Sequence, residues 1–224
     1  MELLHKTINE HEFFYRDITG DRYVLRENLG NSNVYLKRAP VKSSDIVLDL
    51  GGHIGTFAAA VAPHVKMVYT FEPNMESFSI LKKNMEPYPN VKCFELAVIS
   101  ATQKDILYFP ANGTDQGMGS LHKQRGRKSY WVKTVDLDSI LLAYKPTYIK
   151  CDIEGEEYDL FCDRQIPTQV RVISFEVHFG KKQWHEVAYP QLLKNLRSQG
   201  FEFPTLVHEK QWALIFSATR KVKK

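Results

Sequence analysis

Cysteine is scarce in this chain of 224 residues, which holds three. Cys93, Cys151 and Cys162 are scattered, odd in number and free of any C-x-x-C pairing. Neither a disulfide framework nor a zinc or redox motif is expected, and the three read as reduced core thiols. Long apolar runs are missing as well. The longest, Phe57 to Val65, is interrupted by Pro63 and His64 and falls far short of the roughly twenty residues that cross a bilayer, so no membrane-spanning helix and no membrane partner is expected. The opening residues carry His5, Glu10 and Glu12 in place of the apolar stretch and cleavage site of a secretory signal, which points to a cytoplasmic protein. A strong charge of one sign is also absent. The net charge is +4, and much of the excess lies in Lys123 to Lys128 and in the tail from Arg220 to Lys224, which read first as solvated surface and second as a place for phosphates.

With 43% apolar residues the chain can bury one substantial core. A single compact domain is expected, made of a leader over residues 1–44 and a main unit over 45–224. In the leader, aromatic and charged residues alternate from Phe13 to Glu27 around Thr19-Gly20-Asp21, which predicts a β-hairpin turning there with Tyr23, Val24 and Leu25 on its return strand. Beyond Pro40, short β-branched runs alternate with helical stretches. The strands are expected at Ile46–Leu50, Met67–Phe71, Val91–Val98, Thr147–Cys151 and Val170–Val177. The helices are expected at Thr56–Ala62, Met75–Met85, Leu137–Ala143, Glu156–Cys162 and Tyr189–Gln199, the last stopped by Gly200. A closing antiparallel pair is expected at Glu202–Val207 and Trp212–Ser217. Such alternation predicts an α/β fold, a doubly wound and mostly parallel sheet with helices on both faces. The loop from Ala111 to Ser120 holds three glycines and runs into the basic stretch 123–128; a long polar loop of this kind is expected to close over a substrate.

Ile46-Val47-Leu48-Asp49-Leu50 runs into Gly51-Gly52-His53-Ile54-Gly55 and then into a helix. Glycines after a buried parallel strand let the backbone turn tightly and approach a ligand. Glu72 ends the next predicted strand, where an acid can accept hydrogen bonds from both ribose hydroxyls of a nucleoside. Dinucleotide folds place an acid there too, but their G-x-G-x-x-G differs from G-G-H-I-G preceded by Asp49. A carboxylate ahead of the loop suits a ligand with an amino group and a sulfonium better than a pyrophosphate, which favours S-adenosylmethionine over a dinucleotide.

The segments VLDLGGHIGTFA, FEPNMESFSILKKNM, AVIS, VKTVDLDSIL, IKCDIEGEEYDLF, ISFEVH and LLKNLRSQGF, in that order, resemble the FkbM family of class I methyltransferases from about Ile46 to Phe216. The resemblance implies a seven-stranded Rossmann-like fold, S-adenosylmethionine as donor and, by analogy with its better-understood members, O-methylation. It implies that Asp49, Gly51, Gly52 and Gly55 surround the methionine part of the donor together with His53, which stands where members often carry Asn. It further implies Glu72 on the ribose, Pro73 and Asn74 beside the adenosine, and Ala97 and Val98 against the adenine.

Lys150, Asp152 and Glu154 share strand parity at the end of one predicted strand, and Glu176 and His178 share it at the end of the next. In open α/β sheets the ligand crevice lies at the carboxyl ends of the strands, so these five are the candidate catalytic residues. His178, or Lys150 with a pKa lowered by burial, is the expected general base, and Asp152 or Glu154 would orient the acceptor. An alternative is a magnesium or manganese ion on Asp152, Glu154, Glu176 and His178. The expected acceptor is a hydroxyl of a sugar-containing or other small metabolite, anionic if the basic loop meets it. The rival is RNA, with Arg125, Arg127 and Lys128 on phosphates and Tyr130 or Trp131 stacking a base. A donor-binding module without chemistry is a third reading.

Overall fold

The computed structural model describes residues 3–29, 33–37, 39–101, 105–108, 121, 129–178, 182–203, 208–209 and 213–221. The chain opens with a hairpin, β1 (Leu3–Ile8) against β2 (His11–Arg16). Its turn is Asn9-Glu10, both at positive φ (47° and 68°), the backbone that two-residue hairpin loops require. The hairpin therefore lies ahead of its expected place. Thr19-Gly20-Asp21, predicted as its turn, instead starts helix α1 (Thr19–Asn28). Asp21 is drawn inward by Arg16, whose Nε and Nη2 donate to its two oxygens at 3.0 and 2.8 Å. A buried bidentate pair outweighs the turn preference of the same residues.

The main unit follows as β3 (Ile46–Leu50), α2 (Thr56–Val61), β4 (Met67–Phe71), α3 (Met75–Met85) and β5 (Val91–Phe94). Then come β6 (Ala97–Ile99), β7 (Asp105–Tyr108), β8 (Tyr130–Asp136) and α4 (Leu137–Tyr144). β9 (Tyr148–Cys151), α5 (Glu157–Phe161), β10 (Val172–His178), α6 (Lys182–Ser198), β11 (Phe201–Glu202), β12 (His208–Glu209) and β13 (Ala213–Arg220) complete it. The sheet order is β11-β13-β10-β9-β3-β4-β5, with β12 added to β13. The run from β10 to β5 is parallel, and β13 enters antiparallel. This is the doubly wound, mostly parallel α/β sheet expected.

Strands buried on both faces read as continuous apolar runs, and alternate residues serve opposite cores. Leu48, Leu50, Ile149 and Cys151 pack on one face with Leu137, Tyr158 and Leu192 of the helices. Val47 and Tyr148 pack on the other with Phe57, Leu81 and the leader's Phe13, Leu25 and Tyr35. By the same parity Asp49 and Lys150 point toward the leader.

α3 begins where Asn74 caps it, Oδ1 accepting the Ser77 N–H at 3.0 Å, and Asp136 caps α4 in the same way through Ser139. Two other elements depart from expectation. The strand predicted over Val91–Val98 breaks after Phe94: β6 leaves the main sheet and pairs in parallel with β8, on whose other side β7 lies antiparallel. Helix α6 starts at Lys182 and carries Pro190 within it, although the sequence pattern predicts a start at Tyr189. Among the described residues no helix is long and apolar enough to cross a membrane.

Candidate active site

The glycine turn sits on β3 and β4. Gly51 and Gly52 both donate their N–H to the Phe71 carbonyl, at 3.0 and 2.9 Å. A Cβ on Gly51, at φ +82°, would lie 1.8 Å from the Asp152 carbonyl oxygen, and one on Gly52 would lie 2.1 Å from Thr70 Oγ1. Protein atoms therefore already impose the glycines that the sequence pattern ascribes to ligand approach. The turn continues through His53, itself at φ 48°. Its N–H donates to Glu72 Oε2 at 2.9 Å, while Glu72 Oε1 accepts the Asn74 N–H at 2.7 Å. Burial nevertheless pushes the Glu72 carboxyl up to about 7, against the pull of those two bonds. Pro73 is half-buried between them.

Asp49 is fully enclosed. Its Oδ2 accepts from Thr70 Oγ1 at 2.9 Å, and its Oδ1 lies 3.5 Å from Lys150 Nζ without a formed hydrogen bond. Burial raises its pKa, although Lys150 and Thr70 oppose the shift. Ala97 and Val98 are buried but do not end the third strand of the main sheet. Ala97 packs with Tyr108 and Val132, and Tyr108 is hydrogen-bonded by the Asn74 side chain, which brings the small sheet up to Glu72. Val98 packs in the core with Leu137.

Lys150, Asp152, Glu154, Glu176 and His178 do converge. Lys150 Nζ donates to the Gly51 carbonyl at 2.7 Å and lies 3.3 Å from Asp152 Oδ2. Burial alone would lower its pKa, but the Asp152 and Asp49 carboxylates more than offset this and raise it. Lys150 is thus a fixed cation, and its expected role as a base is withdrawn. His178 Nδ1–H donates to Glu157 Oε1 at 2.9 Å. Its Nε2 faces Glu154 Oε2 at 3.3 Å, Glu176 Oε1 at 3.7 Å and Asp152 Oδ1 at 4.0 Å. Burial again opposes the charge, yet Glu154 and Glu157 hold His178 well above the ordinary imidazole range. These neighbours favour the imidazolium over the free base anticipated. Glu154, at φ 56° beside Gly155 at φ 119°, is raised by burial to about 8 despite the pull of His178. Ligand atoms of Asp152, Glu154 and His178 lie within 4.8 Å of one another, close enough to share one cation.

Four residues that the sequence reading missed organise this centre. Glu157, fully buried, accepts the Ile153 N–H at 3.1 Å and the Gly155 N–H at 3.1 Å besides His178. An acid in the first turn after Gly155 was the available signal. Tyr35 donates toward Asp152 Oδ2 at 3.2 Å and Glu176 Oε2 at 3.1 Å, and no local pattern marks it. Arg16 and Asp21 reach the glycine turn: Arg16 Nη2 lies 3.3 Å from His53 Nε2 and donates to Ser77 Oγ at 3.0 Å, and Asp21 Oδ1 lies 3.3 Å from the same imidazole nitrogen. The expected lid over 111–120 and the basic stretch 123–128, with Arg125, Arg127 and Lys128, lie outside the described residues. Of the two aromatics after them, Tyr130 Oη accepts the Met75 N–H at 3.3 Å and Trp131 is largely exposed.

The profile of the methyltransferase FkbM domain matches residues 49–203. A hexuronic acid methyltransferase, AglP of Haloferax volcanii, is 28% identical over 173 residues, covering 74% of this chain and 65% of its own length. The ribosomal RNA small subunit methyltransferase A of Clostridium botulinum is 23% identical over 148 residues, 66% of this chain and 48% of its own. The chain thus spans about half to two thirds of the length of these relatives. The crystal structure of a methyltransferase FkbM from Methylobacillus flagellatus superposes with a TM-score of 0.54 at 14% identity, covering 87% of this chain and 47% of that one.

Proposed function

From the premise that this chain belongs to the FkbM methyltransferase family, we propose that it transfers a methyl group from S-adenosylmethionine to a hydroxyl of a sugar-containing small metabolite, an acidic sugar first among them. The observation that carries this reading is His178, fixed through Nδ1 by Glu157 and turned toward the carboxylates of Asp152, Glu154 and Glu176. The glycine turn is tied to that cluster by the Lys150 bond to Gly51. The sugar acceptor is supported by the likeness to a hexuronic acid methyltransferase.

The residues at the turn fit the donor. Asp49 Oδ1 and His53 Nδ1 are buried polar atoms without hydrogen-bond partners, and such atoms cost stability unless something pairs with them. An acceptor and an imidazole nitrogen at one turn suit the ammonium and carboxylate of an amino acid, and Glu72 offers free lone pairs to ribose hydroxyls. When bound, the donor supplies a sulfonium methyl that needs no activation by protein groups. The protein's tasks are to bind, to orient and to move the acceptor's proton. With the pKa of both Lys150 and His178 raised by the carboxylates around them, the proton goes to a carboxylate. Glu154, raised to about 8, is the group best matched to that exchange near neutral pH, with Asp152 orienting the acceptor.

Transfer of isotopically labelled methyl from the donor into cell extracts, followed by mass spectrometry with and without nuclease, tests this. Label is expected in nuclease-resistant, carboxylate-bearing sugars. Label that nuclease releases would establish the RNA reading instead, and no label in any fraction would leave a donor-binding module. Glu154→Gln or Asp152→Asn should slow transfer by about 10²–10⁴-fold while changing donor affinity far less. The proximity of Asp152, Glu154 and His178 favours a divalent ion as a second reading; activity lost to a chelator and restored by magnesium or manganese would support it, and chelator resistance would end it.

A further inference from the structure

The leader contributes a residue to the reaction centre although it lies ahead of the family-matched span. Tyr35 is completely buried, and its ring meets Phe57 edge-on, with centroids 5.7 Å apart. A phenylalanine would fill the same space. The hydroxyl is therefore the informative atom, because a buried hydroxyl is tolerated only when it is bonded. It lies 3.2 Å from Asp152 Oδ2 and 3.1 Å from Glu176 Oε2, one proton between two carboxylates that belong to different strand ends. The backbone around it is pinned. Asn33 Oδ1 accepts the N–H groups of Tyr35 and Leu36 at 3.1 and 2.9 Å, and Asn33 Nδ2 donates to the Asn28 carbonyl at 3.0 Å. The turn is thereby locked to the end of α1.

We infer that Tyr35 is a positioning residue of the methyl-transfer centre, whose hydroxyl bridges Asp152 and Glu176 and holds the two carboxylates in the arrangement that the acceptor meets. This rests on the assignment of that centre made above. Two carboxylates that share a donor can remain ionised side by side, since hydrogen bonding to the charged form favours it. The phenol keeps its proton: burial and then the Asp152 and Glu176 charges raise its pKa. Other charges facing the bridge are Lys150, 3.3 Å from Asp152 Oδ2, and His178, 3.7 Å from Glu176 Oε1 and 4.0 Å from Asp152 Oδ1. Glu27 of α1 adds its field on the Tyr35 side, Asp49 lies behind Lys150, and Glu154 shares His178.

The test uses the full chain in two forms, Tyr35→Phe and a form with 3,5-difluorotyrosine at position 35, whose more acidic hydroxyl donates more strongly. Carbon-13 carboxyl resonances of Asp152 and Glu176 are followed against pH in chelator-treated protein without any ligand, alongside melting temperature, donor affinity by calorimetry, and kcat and KM. In Tyr35→Phe the carboxyl midpoints should move up, and in the fluorinated form they should move down. The phenylalanine form should lose about 10–100-fold in kcat, the equivalent of one hydrogen bond to a charged group, with donor affinity within about twofold. Unmoved midpoints in both forms would overturn the bridge, whatever the enzyme's activity. Moved midpoints with an unchanged kcat would overturn the positioning role. If the phenylalanine form does not fold, the fluorinated form decides alone. Should the unaltered protein transfer no methyl to any acceptor, the proposed function fails, while the titrations still judge the bridge separately.

Discussion

Replacing Glu157 by Ala would strip the acceptor from three donors at once, the N–H groups of Ile153 and Gly155 and the Nδ1–H of His178. Glu157 is fully buried, so water does not stand ready to replace it. An unsatisfied buried donor costs about 1–3 kcal/mol, and three of them amount to roughly 3–9 kcal/mol, a large part of the roughly 5–15 kcal/mol by which a domain is stable. In a protein of this size each kcal/mol moves the melting temperature by about 2–4 °C, so a fall of about 6 °C or more is expected by calorimetry or circular dichroism. The change should also reach the chemistry. Glu157 is among the charges that raise both His178 and Glu154, so both groups should titrate at lower pH in the variant, and the limb of the rate profile that the proposed function assigns to Glu154, expected near 8, should move down. Glu157→Gln keeps the shape and one carbonyl acceptor but turns an amide N–H toward Gly155, so an intermediate loss is expected. A melting temperature within about 2 °C of the parent, together with an unmoved pH profile, would refute this account of Glu157.

Donor binding should weaken as pH falls from 8 to 6. The Glu72 carboxyl, raised to about 7, ionises across that window, and a cationic donor with ribose hydroxyls prefers the anion; calorimetry in buffers of different ionisation enthalpy should detect proton release on binding. Glu72→Gln should flatten that dependence, and Glu72→Ala should cost about 1–3 kcal/mol of affinity, so a flat profile in the parent protein would sink the assignment. Gly52→Ala would bring a methyl to 2.1 Å from Thr70 Oγ1 and force that hydroxyl off Asp49, at about 1–3 kcal/mol of stability. Combined with Thr70→Ala the two losses should add to less than their sum, since both act through one contact, and strict additivity would place the strain elsewhere.

What the sequence made legible is what local chemistry decides. β3, β4 and α3 have the bounds expected because apolar runs mark buried parallel strands and because Asn74 caps its own helix through Ser77. The convergence of Lys150, Asp152, Glu176 and His178 follows from strand parity and from the pairing of β9 with β10. What escaped is what distant residues decide. Arg16 claims Asp21 and so converts an apparent turn into a helix start. The protonation of Lys150 depends on Asp49, one strand away, as well as on Asp152, and a sequence gives no distance between the two. Tyr35 sits in a turn without a motif, and its partners lie more than a hundred residues on.

The leader grips the site at two points that Gly51 joins. On the side proposed for the donor Arg16 and Asp21 meet His53 and Ser77. On the side proposed for the acceptor Tyr35 meets Asp152 and Glu176. Between them the Gly51 carbonyl accepts from Lys150, and the Gly51 Cα presses against the Asp152 backbone so closely that no side chain fits. On the proposed function, donor affinity and turnover should be separable at Glu154 and His178, which make no contact with the Gly51 carbonyl among the bonds described. They are not separable at the joint itself. Loss of the Lys150 ammonium would release the Gly51 carbonyl and leave Asp49 and Asp152 facing each other without a cation, and such an uncompensated buried charge is strongly unfavourable. Lys150→Met should for that reason weaken donor binding and slow transfer together, where Glu154→Gln slows transfer alone. A Lys150→Met protein that binds the donor normally would show that the two halves of the site are independent.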